Sequence, residues 1–259
     1  MTQKIQIPTD NLAVILGGGA ARGAFHLGVL DFCEEHNIEI KAYSGSSIGA
    51  IISVSHASGI SAKEQLKIFS SNDLKHALKF NYLKNGILRI DPTNKIIKEL
   101  LPIDKLENIP KPVWVNAYDL KKRKLHYFNS GDTVTLCIAS SALIPLFKPV
   151  SYEGMYLIDG GLFDNLPIKP LENKGYNIYT LDLFAKEKNY KLHKVNPLRA
   201  IKRTLFKQLY SNNKYTLENT QYYLGNIGIK NYSLFTFKEM NECFKLGYKE
   251  AQNHFLAIL

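Results

Sequence analysis

The first strong pattern in the chain is the apolar run Leu12-Ala13-Val14-Ile15-Leu16, closed by Gly17-Gly18-Gly19. A short continuous run bounded by glycines predicts a strand buried on both faces. Phe25, Val29, Phe32 and Cys33 then recur at helical spacing, which predicts a helix from about Ala21 to His36. A second strand is expected near Ile40–Tyr43. It leads through Gly45-Ser46-Ser47-Ile48-Gly49 into a helix from Ser47 to about Ser58, rich in small and apolar residues. From about Ser61 to Pro110 the pattern is polar and helical, with one-sided apolar faces that include Leu66, Phe69, Leu74, Ile96 and Leu100.

Val113–Asp119 and Lys124–Asn129 read as strands joined by the charged turn Lys121-Lys122-Arg123. Val134–Ala142 reads as a helix that stops near Pro145, since proline disfavours helix at the residue before it. Tyr156–Ile158 and Ile178–Leu183 are two further strands. Strands alternating with helices predict an α/β fold with a mainly parallel sheet covered on both faces. The 259 residues suit one domain, with a core at about 12–183 and a mainly helical region at about 185–259 packed on it.

Three widely spaced cysteines, Cys33, Cys137 and Cys243, show neither metal spacing nor a disulfide framework, and a reducing compartment is the simplest reading. No signal-peptide layout and no run of about 18 apolar residues is present, so a cytoplasmic location is expected, with room for peripheral membrane contact. The net charge of +10 directs attention to anionic partners. Much of it lies between Lys186 and Lys214, where nine Lys/Arg face one acid, Glu187. Leu198, Ile201, Leu205 and Leu209 fall at helical spacing there. A basic amphipathic helix on anionic lipid and a surface helix packed on the body both fit.

Gly45-Ser46-Ser47-Ile48-Gly49 is a Gly-x-Ser-x-Gly pattern between a predicted strand and a predicted helix. That context holds a serine hydroxyl clear of the backbone on a strained turn near a helix N-terminus. Gly17-Gly18-Gly19-Ala20-Ala21-Arg22-Gly23 occupies another strand-to-helix turn, where backbone amides form an anion site. It fails the dinucleotide fingerprint, because the sixth position from Gly17 is Arg22 and the third from Gly18 is Ala20. An oxyanion hole is the other use of such amides. Arg22 suits a device that orients the loop or meets an anionic head group. Asp159 ends a predicted strand 112 residues after Ser47 and is followed by Gly160 and Gly161. A carboxylate there lies where ligands bind in open α/β sheets. A Ser–His–Asp triad through His26 or His254 remains a rival, as do a phosphate-binding protein and a nucleic-acid-binding module.

Taken together, Leu16–Leu30, Gly45–Gly49, Ala139–Pro149 and Asp159-Gly160-Gly161, continued by Leu162-Phe163-Asp164-Asn165-Leu166-Pro167, resemble the patatin-like phospholipase family. The resemblance runs from about Leu12 to Leu183. It implies a three-layer α/β/α sandwich and hydrolysis of acyl esters of phospholipids or related lipids without metal or cofactor. Ser47 and Asp159 would form a catalytic dyad, and the amides of Gly18, Gly19 and Ala20 the oxyanion hole. Gly17, Arg22, Gly23, Gly45, Gly49, Gly160 and Gly161 would support these motifs. A lipid substrate is then the expected partner, with anionic membrane contact through 186–214 and no nucleic acid. One departure stands out: Ala20 occupies a position where many relatives carry glycine.

Overall fold

A computed structural model describes residues 8–71, 78–80, 88–90, 92, 94–184, 213–234 and 238–256. Its centre is an eight-stranded sheet. Strands β1 (Leu12–Leu16), β2 (Ile40–Gly45), β5 (Val113–Asp119), β9 (Asn177–Leu181) and β10 (Tyr222–Leu224) run parallel in the order β10-β9-β1-β2-β5. Beyond β5 the sheet turns antiparallel, through β6 (Lys124–Phe128), β8 (Met155–Asp159) and β7 (Val150–Tyr152).

The alternation along β1 shows how the layers form. Leu12, Val14 and Leu16 enter one apolar core, while Ala13 and Ile15 enter another across the sheet. Successive strand side chains point to opposite faces, so an apolar run with no polar interruption fills both. The first core is covered by helices α1 (Ala24–Glu35), α2 (Ile48–Ala57) and α3 (Ala62–Ser70), with α4 (Lys95–Leu100), α5 (Thr133–Ser140) and α7 (Met240–Phe255) adding to it. The second is covered by Leu166, Ile168 and Leu171, with Leu217 of α6 (Lys214–Asn219) packed against them.

Helix α7 lies against α1 at very close range. A Cβ on Gly28 would stand 2.0 Å from the carbonyl oxygen of Phe244, and one on Gly247 2.0 Å from that of Phe25. Glycine on both helices lets the backbones meet, and stacked rings of Phe32 and Phe255 extend the contact.

The predicted order of elements is recovered, with three differences. A 3-10 turn, Ala20–Gly23, precedes α1 where continuous helix was expected. The polar stretch 61–110 is not wholly helical: Leu78–Phe80 (β3) and Leu88–Ile90 (β4) form an antiparallel pair. Strands β7 and β10 had no clear periodicity because each has three residues. The basic segment proposed for membrane contact, 186–214, lies almost wholly outside the described residues. Among the described residues no helix is long and apolar enough to cross a membrane.

Candidate active site

The pairing of β5 brings two distant segments together. Its edge towards β2 carries Gly45 opposite Val115. Strand β6 pairs with Val115–Asp119, so it takes the other edge. Strand β8 pairs with Ala117–Asp119 and must therefore share the edge used by β2. Strand β2 runs with β5 and β8 runs against it. Their C-terminal ends meet head-on, Gly45 at Val115 and Asp159 at Ala117. Two strand residues span about 7 Å. Ser47, two residues past Gly45, thus arrives at Asp159.

The turn is strained and tightly braced. Ser47 caps α2 with φ 52° and ψ −125°, a conformation that costs an L-residue roughly 1–3 kcal/mol. Its N–H donates to Ser140 Oγ at 2.9 Å, and Ser46 N–H donates to the Leu16 carbonyl at 3.1 Å. Ser140 Oγ in turn faces Asn116 Oδ1 at 3.5 Å. The flanking glycines serve close approach. A Cβ on Gly49 would fall 1.9 Å from the Leu16 carbonyl oxygen, and one on Gly45 2.5 Å from that of Gly49.

Asp159 is buried, and burial pushes its carboxyl up to about 7, against the opposing pull of the Gly161 N–H and the Ser47 hydroxyl. Gly161 N–H donates to Asp159 Oδ1 at 2.7 Å. Gly160 packs so tightly on Asn116 that a Cβ would lie 2.5 Å from Oδ1 of that residue. The acid is thereby held on a short turn with little water around it. A carboxyl removed from water disfavours its charge and becomes more basic.

The glycine loop sits beside this pair. A Cβ on Gly18 would be 3.0 Å from Ser47 Cβ. Gly18 departs from the expected oxyanion role: its N–H donates to Asn165 Oδ1 at 3.0 Å, while Asn165 Nδ2 faces the Gly18 carbonyl at 3.4 Å. Gly18 is a clamp point, and its donor is occupied. Among the described residues nothing accepts from the N–H groups of Gly19 or Ala20. Ala20 adopts φ 48°, the left-handed region where glycine costs less. That accounts for the departure noted in the sequence: the alanine is accommodated at some strain.

Arg22 orients the loop. Its guanidinium donates to the carbonyls of Tyr232, Leu183 and Lys230 at 2.9, 3.3 and 3.2 Å. Gly23 lets the start of α1 approach Ile48 and Ile52 of α2. Gly17 N–H donates to the Leu181 carbonyl, and the Gly17 carbonyl accepts from His26 Nε2 at 2.8 Å. Burial lowers His26 to about 4, so it is a neutral brace. His254 packs its ring against Tyr179 and Phe255. Among the described residues no histidine hydrogen-bonds to Ser47 or Asp159. The residues that pattern reading passed over are Asn165, Ser140 and Asn116. Asn165 and Ser140 lie within motif segments and Asn116 lies in β5, yet only contact distances reveal their work.

A mainly parallel α/β sheet with a serine on a strained strand–helix turn, facing a buried aspartate, defines a nucleophile-turn architecture. The sequence model described as patatin-like phospholipase matches residues 14–172, and the chain belongs to that family. An uncharacterised NTE family protein of Mycobacterium tuberculosis (strain H37Rv) is 30% identical over 165 residues, covering 63% of this chain and 46% of that protein. A lysophospholipase NTE1 of Coccidioides immitis is 29% identical over 186 residues, covering 69% of this chain and 12% of that protein. The chain thus spans less than half the length of these curated relatives. Among solved structures, VipD of Legionella pneumophila superposes with a TM-score of 0.57 at 15% identity, covering 97% of this chain and 68% of that one. The type III effector ExoU gives 0.52 at 17% identity, covering 97% and 53%. These two likenesses concern the fold.

Proposed function

We propose that the protein is a serine lipid acyl hydrolase, cleaving carboxylic esters of phospholipids or related acyl lipids with a Ser47–Asp159 dyad. The observation that carries this reading is the head-on meeting of β2 and β8, with a strained serine beside an acid raised to about 7. An ordinary carboxylate is too weak a base for a serine hydroxyl, whereas one near neutrality is matched to proton transfer at physiological pH. Family membership and the lysophospholipase names of relatives support the lipid ester as substrate class.

In this mechanism the Ser47 hydroxyl passes its proton to Asp159 as Oγ attacks the ester carbonyl. The carbonyl oxygen becomes an oxyanion and accepts from the N–H groups of Gly19 and Ala20. Collapse breaks the ester C–O bond, and the proton on Asp159 leaves with the alcohol. Water, deprotonated by Asp159, then attacks the acyl-serine, and collapse releases the fatty acid as the proton on Asp159 returns to Ser47 Oγ. Each oxyanion donor of this kind contributes about 10²–10³ in turnover.

The test is a panel of phospholipids, lysophospholipids, acylglycerols and a short-chain aryl ester, run on wild type beside Ser47→Ala. Fatty acid release by wild type, its loss in the variant, and fluorophosphonate labelling that requires Ser47 are expected. Full activity in Ser47→Ala would overturn the assignment.

A further inference from the structure

The hairpin joining β5 to β6 carries Lys121-Lys122-Arg123-Lys124, a run that the proposed chemistry leaves unused. The sheet fixes where this tip stands. Strand β2 ends at Gly45 opposite Val115, whereas β5 continues in the same direction to Asp119. Four strand residues reach about 13 Å further. The tip therefore stands beyond the end of β2 that leads to Ser47, in the direction in which β2 runs.

The four basic residues are exposed. Lys121 is braced, with Nζ donating to the Gly154 carbonyl at 2.8 Å and lying 4.6 Å from the centre of the Tyr156 ring. No acid pairs with Lys122, Arg123 or Lys124 among the described residues. Two acids are close in the chain or across the sheet. Asp119 is buried, with Oδ1 accepting from the N–H groups of Lys121 and Tyr156, and Glu153 stands in the β7–β8 turn. The tip keeps a net positive charge.

Apolar surface lies directly beside it. Tyr118 pairs with Ile158, so Leu120, two residues after Tyr118, and Tyr156, two residues before Ile158, share their face of the sheet. Leu120 N–H donates to the Tyr156 carbonyl at 2.9 Å. Phe163, just past Gly160-Gly161, stacks on Tyr118 with ring centres 3.6 Å apart. Leu120, Tyr156 and Phe163 are three of the seven large hydrophobic side chains exposed among the described residues. Their gathering at one place, next to a basic run, is what singles out this surface.

We infer that this hairpin tip and the Leu120–Tyr156–Phe163 patch form a docking surface for an anionic phospholipid bilayer, turning the Ser47 end of the sheet towards the lipid. Basic side chains meet the head groups, and the aromatic and aliphatic side chains enter the interfacial layer. The inference rests on the proposed lipid substrate, but it predicts binding that needs no turnover.

The experiment uses the full chain carrying Ser47→Ala, so that vesicles are not consumed. It is sedimented with vesicles of phosphatidylcholine alone and of equal parts phosphatidylcholine and phosphatidylglycerol. Binding to the anionic vesicles, weakened by added salt, is expected. Combining Lys122→Glu, Arg123→Glu and Lys124→Glu should lower the partition coefficient at least about tenfold, since each basic residue near an anionic surface contributes severalfold. Leu120→Ser with Tyr156→Ser should also weaken binding, with the salt dependence kept. In a Ser47 background the charge variant should hydrolyse a soluble aryl ester as wild type does, which also reports an intact fold. Unchanged vesicle binding in the charge variant would overturn the inference. So would absence of binding by the parent, or charge-dependent binding to duplex DNA without binding to vesicles. Failure of aryl ester hydrolysis with vesicle binding intact would instead count against the proposed catalysis.

Discussion

Asn165 joins two parts of the site through one side chain. Its amide oxygen accepts from Gly18 N–H, and a Cβ on Gly161 would come within 2.7 Å of that same oxygen. The glycine loop and the Asp159 turn are therefore registered against each other by a single planar group. Removing it in Asn165→Ala leaves a buried N–H unpaired and lets the loop move relative to Ser47. Misplacement on the order of 1 Å costs about 10² in rate. The expected result is a kcat on a soluble ester lowered about 10–100-fold with KM little changed. Activity equal to wild type would show that the clamp has no part in positioning. Nothing in the pattern of apolar and polar residues marks Asn165, because a hydrogen bond across 147 positions leaves no local signature.

At the scale of elements, the crossing of α7 on α1 depends on backbone contact. Gly247→Val would put branched carbon where the Phe25 carbonyl now sits. Overpacking of this kind costs typically 1–3 kcal/mol, and more where backbone is struck. Chemical denaturation should show a loss of at least about 2 kcal/mol. If stability is unchanged, the helix is not seated as described. The same crossing bears on the site, because α1 follows the glycine loop and Cys243 of α7 lies 3.6 Å from the Arg22 carbonyl. Strand β1 was readable from its unbroken apolar run, helix α1 from its periodicity and α2 from its small and apolar composition, since each is deeply buried. The short strands β3, β4, β7 and β10 were not, because three residues cannot establish a period of two.

For the molecule as a whole, the buried Asp159 links activity and stability to pH with opposite signs. As a base it must be ionised, so kcat/KM on an uncharged soluble ester should climb with pH and level off above about 7. An activity that is flat from pH 5 to 8 would count against Asp159 as the base. Stability runs the other way. The folded-state value lies above the unfolded one, so the native protein binds the proton more tightly, and stability is lost as pH rises from about 4 to about 7. Three decades of proton affinity correspond to roughly 4 kcal/mol as an upper figure. Asp159→Asn keeps the acceptor for Gly161 N–H and removes the charge. It should abolish turnover yet raise thermal stability at pH 8, with the gain shrinking as pH falls towards 4. A variant less stable than wild type at pH 8 would refute this linkage.

Chain order alone determined the strand–turn–helix units, because apolar runs and glycines act over a few residues. It also determined the nature of the chemistry on offer: a serine on a tight turn, an amide-rich loop, and a carboxylate after a strand. Only the tertiary structure decided which of these meet. Sharing one edge of β5 joins Ser47 to Asp159, and burial makes that acid basic. Arg22 and His26 became braces once their partners were seen to be carbonyls, and Gly18 gave its N–H to Asn165. Local pattern carries conformation, whereas proximity and desolvation arise from contacts between residues far apart in the chain.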